Sequence, residues 1–91
     1  HRAVLSALMS LERLAAWRAR AEAETDDLSG RTPALLIAAL SARPMLGAVE
    51  AEAETGASRA AVQRNLDTLQ SRGLVREVTG RGRFRVRAAK L

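Results

Sequence analysis

Cysteine and tyrosine are absent from this 91-residue chain, and its only aromatic residues are Trp17 and Phe84. Without cysteine there is no disulfide framework, no thiolate nucleophile and no cysteine-ligated metal. That fits a cytoplasmic protein. Two aromatics are too few for recognition of single strands by base stacking. The one histidine is the first residue, and no His/Asp/Glu cluster has metal-ligand spacing. Glu50, Glu52 and Glu54 alternate along a helical stretch and so splay apart. Neither an enzyme nor a cofactor is expected within these residues, and no small-molecule site is evident. No apolar run approaches the ~20 residues that span a bilayer, and no signal-peptide pattern is visible, so no membrane partner is expected. Beginning at His1 rather than Met, the chain reads as a piece of a longer protein.

What the chain does hold is positive charge at one end. Residues 57–91 carry nine Arg or Lys against two acids, a net of +7. Residues 1–56 carry six Arg and eight acids, a net of −2, and the two parts sum to +5. A small domain with one basic end has the electrostatic footprint of a polyanion binder, most often for nucleic acid. The plainer reading is a solvated surface in a chain that uses 14 Arg and one Lys. The order of the residues decides between them.

Apolar residues recur at helical spacing in the first segment: Val4, Leu5, Leu8, Leu11, Leu14 and Ala15, with Trp17 continuing the Leu14 side. Residues 1–27 are therefore expected to form a long helix that packs on the next domain, pairs with its copy in a homodimer, or is the tail of an upstream domain. Trp17 on a Leu-rich face reads as core or dimer interface rather than as a base-stacking platform. Residues 28–31 read as a connector. Thr32-Pro33 opens a second helix, Thr as N-cap and Pro at the first position. Its stripe is Leu35, Leu36, Ala39 and Leu40, and Pro44 stops it. A third helix is expected over 45–54, with Leu46, Val49 and Ala53 on one side. Gly56 suits a left-handed turn. Ser58 caps a fourth helix over 59–72, whose inward stripe is Val62, Leu66 and Leu69, and Gly73 ends it. Residues 74–79 and 84–87 around Gly80-Arg81-Gly82-Arg83 read as a β-hairpin.

Residues 55–75 fit the pattern Gly-x-Ser-x-x-x-Val-x-x-x-Leu-x-x-Leu-x-x-x-Gly-Leu-Val at every fixed position: Gly56, Ser58, Val62, Leu66, Leu69, Gly73, Leu74 and Val75. With the basic hairpin that follows, residues 32–88 resemble the winged helix-turn-helix domain of bacterial transcription regulators. There is a weaker resemblance to C-terminal helix-turn-helix domains of Fic-type proteins and of rhizobial plasmid proteins of unknown function. The Fic motif of His-Pro-Phe followed by Gly-Asn-Gly is absent. The resemblance implies a mainly α fold with a small β-hairpin, preceded by the N-terminal helix. It also implies double-stranded DNA as partner, with helix 58–72 in the major groove and the wing at 80–85 on the backbone or in the minor groove.

The residues support this on their own chemistry. Opposite the Val62/Leu66/Leu69 stripe lie Ala60, Arg64, Asp67 and Ser71, flanked by Ala61 and Gln63. Small residues at 60 and 61 permit close approach, and Gln63 and Arg64 are the types that pair bidentately with adenine and guanine edges. Ser58 and the free N–H groups of the first turn, where Arg59 also stands, suit a phosphate. Arg81, Arg83, Arg85 and Arg87 alternate, so a regular strand would align them on one face, with Phe84 and Val86 on the other. Arg81, Arg83 and Arg85 are the expected wing contacts, against the plainer reading of an edge strand kept from aggregating by charge. Arg72, at a helix end where a cation suits the dipole, is not assigned to DNA. The alternative function is a protein–protein interaction module or the regulatory C-terminal domain of a larger protein.

Overall fold

A computed structural model describes residues 2–78 and 86–91. Four helices and three short strands follow in the order α1 (Arg2–Glu24), α2 (Thr32–Ala42), β1 (Met45–Gly47), α3 (Ala48–Thr55), α4 (Arg59–Ser71), β2 (Val75–Glu77) and β3 (Val86–Ala89). The fold is mainly helical with a small antiparallel sheet of order β1-β3-β2.

The core forms where α2 meets everything else. Its sequence TPALLIAALSA has almost no polar side chain to turn outward, and it touches α1, α3, α4, β1 and β3. A helix that is apolar all round is stable only when covered all round. Leu36, Ile37, Ala39 and Leu40 are buried, whereas Leu35, expected in the stripe, is 39% exposed. The helix also starts one residue early. Arg31 takes the cap position with helical angles and no side-chain cap bond, and its carbonyl accepts from the Leu35 N–H. Thr32 and Pro33 are thus the first two helical residues, where the missing proline N–H has no intrahelical partner to lose.

The third helix differs most from the expectation. Residues 45–47 are a strand: Met45, Leu46 and Gly47 pair with Ala88, Arg87 and Val86 of β3. Pro44 blocks helical continuation, and a partner strand from far along the chain then supplies the ladder that local propensity does not. Gly47, extended at φ −87° and ψ 169°, passes the chain into α3. The shift turns the helix, so Ala51 is its buried residue. Val49 is 68% exposed and Ala53 is exposed as well.

The hairpin expectation holds for the strands. Val75, Arg76 and Glu77 pair with Ala89, Ala88 and Arg87, and the Val78 N–H donates to the Val86 carbonyl. Residues 79–85, with the Gly80–Arg83 turn and Phe84, lie outside the described residues. Gly73, at φ +75°, ends α4 as expected, and the Leu74 N–H reaches back to the Leu69 carbonyl at 2.9 Å. This left-handed stop drives Leu74 into the core.

α1 is a single helix that is half engaged. Trp17, 1% exposed, and Ala21 pack into the core, and the Trp17 Nε1–H donates to the Leu74 carbonyl at 2.8 Å. Trp17 is therefore a core residue. Val4, Leu5, Leu8, Met9 and Leu11 are 51–62% exposed. The expected continuous stripe is split, because Trp17 and Ala21 point to a different side of the helix from Val4, Leu8 and Leu11.

Candidate nucleic-acid interface

α4 is held on the body by one narrow edge. Val62, Leu66 and Leu69 are its buried residues, three positions on one side of a 13-residue helix. Its start is set by two local devices. Gly56 closes α3 in the left-handed region at φ +68°, its N–H donating to the Glu52 carbonyl at 2.8 Å. Two residues later the Ser58 Oγ accepts from the Ala61 N–H at 3.2 Å, as a capping serine does. Thr55 braces the turn: its Oγ1 donates to the Ala51 carbonyl and accepts from the Ala57 N–H at 3.1 Å.

The eight expected residues of this surface are not equally available. Arg59 forks onto the Glu52 carboxylate with Nε at 3.1 Å and Nη2 at 3.0 Å, stapling the first turn of α4 to α3. Its charge is already balanced, though the pair is exposed enough to exchange partners. The Ala61 N–H is taken by the Ser58 cap, which leaves those of Arg59 and Ala60 for an anion. Gln63 is half-buried and Arg64 exposed, and among the described residues neither has an ion pair or side-chain hydrogen bond. Arg81, Arg83 and Arg85 lie outside the described residues.

Arg87 corrects the expectation of a solvent-facing arginine row. It is 3% exposed. The ladder pairs it with Leu46 on one side and Glu77 on the other, so it shares the sheet face of buried Leu46. From there Nη2 reaches α4 and donates to the Asp67 Oδ1 at 2.9 Å. Nε and Nη1 are buried without acceptors. Alternation fixes the spacing, but spacing cannot say which face a packed sheet turns inward. Asp67, the one acid of α4, remains on the outer arc but is neutralised from below by this guanidinium.

Arg72 also has a structural partner. Its Nη1 and Nη2 fork onto Asp27 at 2.6 and 2.8 Å, and Nη1 also donates to the Glu24 carbonyl at 2.7 Å. The hydrogen bond from Arg72 holds the Asp27 carboxyl below its ordinary pKa, and Arg72 in turn is raised by Asp27. The end of α1 is thereby tied to the end of α4. Sequence reasoning missed both Arg–Asp ties. The available signal was that Asp67 is one of only two acids in the basic third of the chain.

Among the described residues no group of three or more His, Cys, Asp or Glu could hold a metal ion, and no helix is long and apolar enough to cross a membrane. A cleft of ≈ 330 Å³ between the end of α1 and the start of α2 is lined by Glu22, Thr25, Asp26 and Ile37 among others. Glu22 is paired with Arg18, and the Thr25 hydroxyl donates to the Ala21 carbonyl, so no convergent polar set faces a ligand there. No family model, no curated protein and no solved structure matches the chain.

Proposed function

We propose that this chain binds double-stranded DNA as a winged helix-turn-helix domain, the DNA-reading part of a bacterial transcription regulator. α4 enters the major groove by its first two turns, with Gln63 and Arg64 on base edges and Ser58 and the first-turn N–H groups on a phosphate. The segment between β2 and β3 carries Arg81, Arg83 and Arg85 to the backbone or minor groove. The observation that carries this reading is the mounting of α4. It is a capped helix fixed along one edge, entered through a left-handed glycine turn, with Arg64 unpaired on its free side and Gln63 unpaired and half-buried on the flank. Asp67 would oppose a phosphate backbone, and its pairing with Arg87 offsets part of that opposition.

The free apolar side of α1 supports a two-fold arrangement, which would set half-sites about one helical turn apart. It also favours the second reading, a protein-contact module. The two readings differ in their response to salt. Anisotropy of a labelled random duplex is expected to weaken by about 10³-fold or more between about 50 and 200 mM salt if six or more phosphates are neutralised. Binding is expected to be lost in the Arg64→Ala/Arg81→Ala/Arg83→Ala variant. Absence of binding at the lower salt would reject the DNA reading.

A further inference from the structure

α1 carries a short heptad seam that its own domain leaves open. Val4, Leu8, Leu11 and Ala15 follow the 4-3-4 spacing of alternating d and a positions. All four are exposed; Val4 is at 58%, Leu8 at 51% and Leu11 at 62%. Leu5 at 60% and Met9 at 55% widen the strip on one side. Trp17 and Ala21, which dock the helix on the domain, lie about 110–150° round from this seam on an ideal helix. Docking and seam therefore use different sides, and a partner can cover the seam without displacing Trp17. The helix is also a firm platform. Trp17 donates to the Leu74 carbonyl, Arg20 to the Lys90 carbonyl at 2.7 Å, and Arg72 grips the helix end.

We infer that the occupant is α1 of a second copy, running antiparallel, an inference that rests on the two-fold arrangement of the DNA-binding reading. The seam is self-complementary in that direction. With the two-fold axis between Leu8 and Leu11, the layers are Val4 on Ala15, Leu8 on Leu11, and the same two repeated beyond the axis. Each layer sets an a position on a d position, as antiparallel coils do, and the small Ala15 receives the branched Val4.

Charge decides against the parallel register. The next seam positions are Arg18 at d and Glu22 at a, joined within the helix at 2.7 Å. In a parallel pair Arg18 would meet Arg18 and Glu22 would meet Glu22 at central positions, where like charges repel and desolvation is costly. In the antiparallel pair neither charge meets its own copy. The Trp17 anchors then stand about 22 Å apart along the pair, on its outer sides. The seam offers a few hundred Å² of apolar surface per copy, at the low end of what holds partners together. The dimer is dissociable, and paired half-sites on one DNA strengthen it through effective concentration.

The chain has no cysteine, so single introduced thiols report register cleanly. Sedimentation without DNA is expected to give a monomer–dimer equilibrium in the range of about 10 µM to 1 mM. Leu8→Glu is expected to remain monomeric there with unchanged helicity and Trp17 fluorescence. An oxidised mixture of Val4→Cys and Ala15→Cys chains is expected to yield the mixed disulfide dimer by mass. Val4→Cys alone is expected to yield none, since its two copies lie about 16 Å apart along the axis. A monomer at about 1 mM, or Val4→Cys dimers as abundant as the mixed ones, overturns the inference. Because no DNA is present, either result is independent of whether the domain binds a duplex.

Discussion

The two ends of the described chain are fastened to the same helical body by different physics. The N-terminal helix is held by a neutral aromatic: Trp17 is buried, its one polar atom is satisfied by the Leu74 carbonyl, and the charged contacts sit at the rim. The C-terminal strand is held at the centre of a sheet, between β1 and β2, with a buried guanidinium beneath it that has a single acceptor among the described residues. The first mode is efficient, since an apolar ring with a satisfied N–H gains from burial and loses little. The second is a compromise. Burying Arg87 costs desolvation, and its one carboxylate partner is 66% exposed and so keeps much of its hydration. The difference teaches that closeness of a pair is a poor guide to what it contributes.

The largest expected effect breaks the first mode. Trp17→Ala should destabilise the fold by about 3–5 kcal/mol and free α1 from the body. Urea unfolding followed by far-UV circular dichroism measures it, and a loss below about 1 kcal/mol would mean that α1 is not anchored as described.

The second mode gives an asymmetric pair of outcomes. Asp67→Ala strips Arg87 of the one acceptor it has among the described residues and should cost about 1–3 kcal/mol. Arg87→Met removes the buried charge together with its unmade hydrogen bonds and should be close to neutral, within about 1 kcal/mol. Equal losses from the two variants would indicate that Arg87 contributes net stability, contrary to the comparison.

The smallest effect lies at the rim of the first mode. Asp27 has its pKa lowered in the fold by Arg72, so its contribution is fully present above the unfolded carboxylate value of about 3.9 and is lost as pH falls through the lowered folded value. Asp27→Asn should therefore be slightly less stable than the parent near neutrality, and the gap should close once pH has fallen through the lowered folded value. Both groups meet solvent, so added salt should shrink the gap as well. A gap that persists in acid would assign the loss to packing rather than charge.

Much of the architecture was legible before the structure. Gly56, Ser58 and Gly73 announce a turn, a cap and a stop by local chemistry alone, and all three do what their types favour. The helical spacing of residues 2–24 and the inward edge of α4 were legible for the same reason. Three things were not. β1 exists because β3, some forty residues later, lies beside it, and Met45-Leu46-Gly47 has no strand signal of its own. The split of α1 into docked and free sides depends on where the body ends beneath it. Arg87 reads as one more member of a basic alternation until the sheet turns it inward.

The candidate surface divides along the same line. Residue type and spacing singled out Gln63 and Arg64, and the outward placement of Arg64 follows from the position of Val62, Leu66 and Leu69 alone. That Arg59 is engaged with Glu52 and Asp67 with Arg87 could not be read from a string, since both pairings join separate elements.

Sequence by itself determined the helical spacing of α1, the cap and glycine stop of α4 and the basic end, because these rest on periodicity and on contacts within a few residues. Tertiary structure alone decided the third strand, the inward arginine and the uncovered seam, because each depends on which segment the folded chain brings alongside.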